Sequence, residues 1–214
     1  MAKILIIAEH CDGIVNPSTA KCVACAAEIA DASIDVAVFS ENGDIVASEV
    51  AAIASVNKVI QIDNTANTRA LAAVIAPQVV ALADGYSHVF GPSTTFGKDL
   101  MPRVAALMGV NQLSDIMEVL GSHRFKRPIY AGNAVVTVEV PEDKPVIATV
   151  RIASYKTVSG NGSATIQSAS LDAEIPDHTR FVEVLSGESD RPDLQTAPLV
   201  VSGGRALSSE KDFN

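Results

Sequence analysis

The chain begins with an apolar run, Ile4-Leu5-Ile6-Ile7-Ala8, that no polar residue interrupts. Such a run is the pattern of a central strand covered on both faces. Glu9-His10 stand at its end, and Cys11-Asp12-Gly13 forms the following turn. Ser18 or Thr19 is then expected to cap an Ala-rich helix reaching about Ala30. Asp35–Phe39 reads as the second strand, Ile45–Ala54 as helical, and Lys58–Ile62 as the third strand. Arg69–Ala83 reads as a helix that Pro77 is expected to kink or split. Ser87–Phe90 is a short strand running into Gly91-Pro92, residues that end regular structure. Ser93, Thr94 and Thr95 are N-cap residues for a helix opening at Gly97-Lys98-Asp99 and ending near Met108. Val104, Ala105, Leu107 and Met108 give it an apolar face, and Gly109 suits the position after its C-cap. Strands alternating with helices imply a parallel sheet with right-handed crossovers.

After Gln112 the pattern changes. Asp115–Leu120, Arg127–Ala131, Val135–Val140 and Val146–Ala153 are strand-like runs with no convincing helix between them. They predict antiparallel strands beside the parallel core. Ser159–Ser163 reads as a loop, Phe181–Leu185 as one more strand and Gly187–Pro198 as a charged, proline-containing linker. Leu199-Val200-Val201 begins a further strand. The fold class is therefore α/β: a Rossmann-like parallel sheet flanked by helices, with additional antiparallel strands in the second half.

Composition narrows the function. With 25 acidic against 16 basic residues and a net charge of −9, nucleic acid and anionic membrane are poor partners. No apolar run approaches the roughly 20 residues of a membrane span. The first strand starts at once, which leaves no room for a signal or transit peptide and predicts a bacterial cytoplasmic protein, or a processed one of the mitochondrial matrix. Cys11, Cys22 and Cys25 make no disulfide framework. The Cys22–Cys25 pair lies on one face of the first helix with Ile29 and is expected to be buried rather than metal-binding or redox-active.

The Ser87–Met108 stretch places hydroxyls and free N–H groups at the C-terminal edge of the sheet, where open α/β sheets bind ligands or partners. Thr94, Thr95 and Lys98 suit a phosphate, yet GxxxxGK[ST] is absent. Glu9-His10 and Ser87-His88 are read as strand-end or surface polar residues, because no GxSxG elbow accompanies them.

Gly85-Tyr86-Ser87-His88-Val89, Thr94-Thr95-Phe96-Gly97-Lys98-Asp99, Pro102–Leu107 and Arg127-Pro128-Ile129-Tyr130-Ala131-Gly132-Asn133-Ala134 together resemble the alpha subunit of electron transfer flavoprotein. The resemblance takes in Lys3–His10 and ends at Val200-Val201-Ser202-Gly203-Gly204-Arg205, so it covers nearly the whole chain in order. It implies an electron carrier rather than a substrate-converting enzyme. Such a carrier works with a beta subunit and FAD between acyl-CoA and related dehydrogenases and a membrane quinone reductase. Family members continue for roughly another hundred residues, enough for one further domain, and that part holds most of the FAD. On this reading residues 1–186 are the N-terminal α/β domain, residues 187–214 are a linker and the start of the FAD-binding domain, and the chain as given is expected to carry no FAD. The tail from Val200 to Asn214 is expected to be disordered or borrowed by a neighbour.

Within that register Ser202, Gly204 and Arg205 are the expected cofactor contacts, Arg205 on the FAD. Ala206 and Ser208 depart from the Gly and Lys common in the family. Structural AMP in this family belongs to the beta subunit, and Tyr130, Gly132 and Asn133 fall at an expected subunit junction. The competing reading is a stand-alone nucleotide-binding α/β module of the ATP/AMP-binding stress-protein type, using the Thr94–Lys98 edge.

Overall fold

The structure is a computed structural model, and it describes residues 1–158, 161–183, 185, 194, 197 and 199–213. The described chain divides into two compact units, residues 1–181 and 182–214. Among the described residues the first contains every strand. In order these are β1 (Ala2–Ile7), β2 (His10–Cys11), β3 (Ile14–Val15), β4 (Ala32–Ser40), β5 (Lys58–Asp63), β6 (His88–Pro92), β7 (Gln112–Ile116), β8 (Glu118–Gly121), β9 (Arg124–Ile129), β10 (Ala134–Glu139), β11 (Val146–Val150) and β12 (Thr165–Ser168). Four helices join the first half: α1 (Pro17–Ala27), α2 (Asp44–Ala51), α3 (Ala72–Leu82) and α4 (Thr95–Leu107).

The main sheet is wholly parallel, in the order β12-β5-β4-β1-β6-β11-β7. β1 is central, and its alternate residues feed two cores. Ile4 and Ile6 pack with α1 and α2, whereas Leu5 and Ile7 pack with α3 and α4. Because both faces are covered, the strand carries no polar alternate, as its sequence anticipates. The order of connection reverses between β1 and β6, with β4 on one side and β11 on the other. That junction is the topological switch point, where this class of sheet places ligands.

The second half differs from its sequence reading. Only β8, β9 and β10 form an antiparallel sheet, whereas β7 and β11 join the main sheet as parallel strands. The Asp115–Leu120 run is accordingly two strands, one in each sheet. Phe125 of β9 is fully buried and meets Phe90 of β6 edge to face, ring centroids 6.3 Å apart, which fastens the antiparallel arm to the main sheet. β12 extends the opposite edge, at residues that had no strand signal. Among the described residues 181–183 and 185 no strand forms, and none forms at Leu199–Val201, since neither run has a ladder partner. Most of the linker reading at 187–198, and Ser159 and Gly160 of the predicted loop, lie outside the described residues.

Pro77 sits inside α3 without interrupting it. Gly109 takes φ +67 after α4, as its position predicts. Beyond β12 the chain reaches Phe181, whose ring lies 5.1 Å from the guanidinium of Arg69. No helix among the described residues is long and apolar enough to cross a membrane.

Candidate functional site

The switch point is built from the end of β1, the start of α1 and the turn between β6 and α4. Glu9 follows β1 and is only 9% exposed. Its Oε2 accepts a hydrogen bond from Ser18 Oγ at 2.6 Å and another from Thr94 Oγ1 at 3.0 Å. The Glu9 N–H donates to Thr19 Oγ1 at 3.0 Å, and the Glu9 carbonyl accepts from the Asn16 N–H at 2.8 Å. Ser18 and Thr19 lie in the first turn of α1, and Thr94 is the N-cap of α4. One carboxylate therefore sits against the starts of two helices, where partial positive charge favours an anion. In related sheets a phosphate occupies such a place. Here the protein's own side chain does.

Glu9 stands at the strand end, as expected, but is buried there. The cap of α1 corrects an expectation: it is Asn16, whose side chain accepts from the Ser18 N–H at 2.9 Å. Ser18 and Thr19 point their hydroxyls at Glu9 instead. Thr94 does cap α4, accepting from the Gly97 N–H, while Thr95 and Lys98 follow it on the exposed side of the first turn. Gly97 is required because a Cβ there would overlap the Pro92 carbonyl oxygen.

His88 lies at the other end of β6 and is fully buried. One ring nitrogen meets Ser87 Oγ at 2.8 Å and the other meets the Ser122 carbonyl at 2.6 Å, so Nε2–H donates to that carbonyl. Burial holds its pKa below the usual histidine value, and nearby His123 acts in the same direction. Among the described residues no acidic group orders the Ser87–His88 contact. The ring ties the β8–β9 turn to the main sheet and is closed off from solvent, which weighs against a hydrolase reading of this pair.

Cys22 and Cys25 are both buried. Burial raises both thiols, Cys25 to about 12, so neither forms a thiolate at neutral pH. No group of metal-binding side chains occurs among the described residues. Tyr130, Ala131 and Gly132 form a tight turn at the tip of the β9–β10 hairpin, all three with positive φ, and the Tyr130 ring is exposed.

In the second unit, Ser202, Gly203, Gly204 and Arg205 lie together in one exposed segment. The Leu207 N–H donates to the Gly204 carbonyl at 3.0 Å and closes a turn around Arg205. The Ser208 and Ser209 N–H groups converge on Asp212, at 2.9 and 2.8 Å, and hold its carboxyl below the ordinary range. Of the three predicted cofactor residues, Gly204 and Arg205 lie in that turn and Ser202 precedes it. Gly204 leaves the space beside it open, since a Cβ there would meet nothing within 4 Å. Glycine backbone and an exposed guanidinium fit the phosphate end of a dinucleotide.

Fold and site define a Rossmann-like α/β protein whose nucleotide position is closed by its own carboxylate. Comparison with known proteins gives the family. Residues 4–174 match the electron transfer flavoprotein domain, and the chain belongs to that family. It is 41% identical to the electron transfer flavoprotein subunit alpha of Pseudomonas aeruginosa and 39% identical to that of Paracoccus denitrificans, in each case over 98% of this chain and 67% of the relative. The mitochondrial subunit alpha of Dictyostelium discoideum is 34% identical over 98% of this chain and 63% of its own length. The chain thus spans about two thirds of the length of these relatives.

Proposed function

We propose that this chain provides the N-terminal scaffold of an electron transfer flavoprotein alpha subunit. The observation that carries the reading is continuous similarity to alpha subunits along 98% of the chain. The filled switch point supports it, because a domain whose nucleotide position is occupied by Glu9 suits packing better than nucleotide turnover. The same feature weighs against the stand-alone ATP- or AMP-binding module.

In this reading residues 1–186 form the scaffold domain, and 187–214 the linker and opening segment of an FAD-binding domain. The partner is a beta subunit. Together they carry electrons from acyl-CoA and related dehydrogenases to a quinone reductase of the respiratory chain, in the bacterial cytoplasm or the mitochondrial matrix. The FAD, when bound, accepts and releases the electrons, while the protein sets its orientation and surroundings. Ser202 and the Gly204 backbone would approach its phosphates, and the Arg205 guanidinium would offset their charge. The chain itself makes no new bond in a substrate.

The test is co-purification with a beta subunit, combined with a visible absorption spectrum of the desalted chain. Stable association and no flavin bands in the chain alone are the expected results. Failure to associate with any cognate beta subunit overturns the scaffold role. Flavin bands at near one per isolated chain overturn the placement of the cofactor.

A further inference from the structure

A second crevice lies at the same edge of the sheet, beside the ends of β6, β7 and β11. Its volume is about 400 Å³, and Ser93, Lys98, Asp115, Ala131, Gly132 and Arg151 are among the residues that line it. Hydrogen-bond donors outnumber acceptors among its polar side chains. Lys98 makes no ion pair among the described residues. Arg151 sends Nη1 to Asp115 at 3.4 Å, which engages one of the guanidinium's several N–H donors. The Ser93 hydroxyl oxygen is closed off from solvent and has no hydrogen-bond partner.

The backbone around the crevice is also unusual. Asp115 and Ala131, neither of them glycine, are held at φ 59° and 54°. Strained residues gathered at one cleft persist only where the surrounding structure fixes them, and they concentrate at binding sites. Two cationic side chains against one carboxylate exclude a metal ion, and the surplus of donors calls for a ligand made of acceptors. The local excess of positive charge contrasts with the net charge of −9 for the whole chain.

We propose that this crevice binds a small oxyanion of the phosphate class, held by the Lys98 ammonium and the free N–H donors of Arg151. Asp115 orients Arg151 and restricts the site to a ligand that reaches the free side of the guanidinium. The crevice is distinct from the switch point, which Glu9 fills, and the proposal does not rest on the flavoprotein reading.

Titration of the ¹⁵N-labelled full chain with inorganic phosphate, at constant ionic strength with chloride as the control anion, tests it. Saturable shifts are expected at the amides of Ser93, Lys98 and Arg151. Lys98→Ala should weaken binding about tenfold, the effect of losing one charge-assisted hydrogen bond. Lys98 is exposed, so this variant keeps the fold, and Lys21→Ala on α1 should bind as the parent does. Shifts that chloride reproduces, or unchanged affinity in Lys98→Ala, overturn the proposal. So does saturation of the same amides by a Glu-rich peptide when phosphate leaves them unmoved, because the crevice would then be a protein-docking point.

Discussion

Glu9 Oε2 accepts hydrogen bonds from Ser18 and Thr94, which lie nine and 85 positions away in the sequence. The carboxylate joins two helix starts that a ligand phosphate would otherwise bridge, and at 9% exposure it leaves little room for water to replace it. Glu9→Gln tests how much of this is electrostatic. The amide keeps the shape but turns one acceptor into a donor facing hydroxyls and removes the charge from the helix ends. Stability should fall by about 1.5–3 kcal/mol, the range for hydrogen bonds made to a charged group. The check is a lower urea midpoint at an unchanged m-value; an unmoved midpoint would mean that the carboxylate only fills space. Sequence reasoning left Glu9 among strand-end polar residues because its partner Thr94 is remote. It also assigned the α1 cap to Ser18 or Thr19, whose hydroxyls are spent on Glu9. Asn16 then becomes the cap, directly before Pro17 in the first turn.

At the scale of elements, the first half was legible and the second was not, for a physical reason. From β1 to α4 the strands of the main sheet alternate with helices that pack back on it, so local apolar period and turn residues suffice to order the elements. β7 and β11 pair in parallel only through long-range contacts with β6 and each other, and nothing local separates them from antiparallel neighbours. β12 escaped notice because all of its residues are exposed at a sheet edge, where no apolar alternation is required. Conversely, Leu199-Val200-Val201 has strong strand propensity but forms no strand, since propensity without a ladder partner does not make one. The β6–α4 junction shows the opposite extreme, a local element fixed by one residue. Gly97 lies against the Pro92 carbonyl, and a methyl group there must displace backbone rather than a flexible side chain. Gly97→Ala should therefore cost about 3 kcal/mol or more, the tail reserved for changes that force the backbone to move. By contrast, Gly85→Ala, at φ +77 with open space around it, should cost only about 1 kcal/mol of backbone strain. Thermal midpoints of the two variants decide it: equal losses would show that the junction relaxes freely.

At the scale of the whole molecule, the two units differ in what can protect their backbones. The first carries a seven-stranded sheet with both faces covered, and β1, β4 and β6 lie at its centre. In the second, residues 199–212 are exposed, and their hydrogen bonds are short-range: Leu207 to Gly204, and Ser208 and Ser209 to Asp212. Bonds of that range break without disturbing a core, so their opening free energy is small. Hydrogen exchange on the isolated chain should show amides 199–207 exchanging at close to unfolded rates, while those of β1 and β6 exchange orders of magnitude more slowly. The segment that carries Ser202, Gly204 and Arg205 is then unconstrained in the chain alone, as a cofactor segment would be before its surroundings assemble. Adding a beta subunit should leave these amides fast if they wait for the flavin alone. Protection arising in 199–207 with the partner and without FAD would show instead that subunit contact orders the turn. Strong protection in the lone chain would reject both versions, because Arg205 would already be held in place by packing that local hydrogen bonds do not explain.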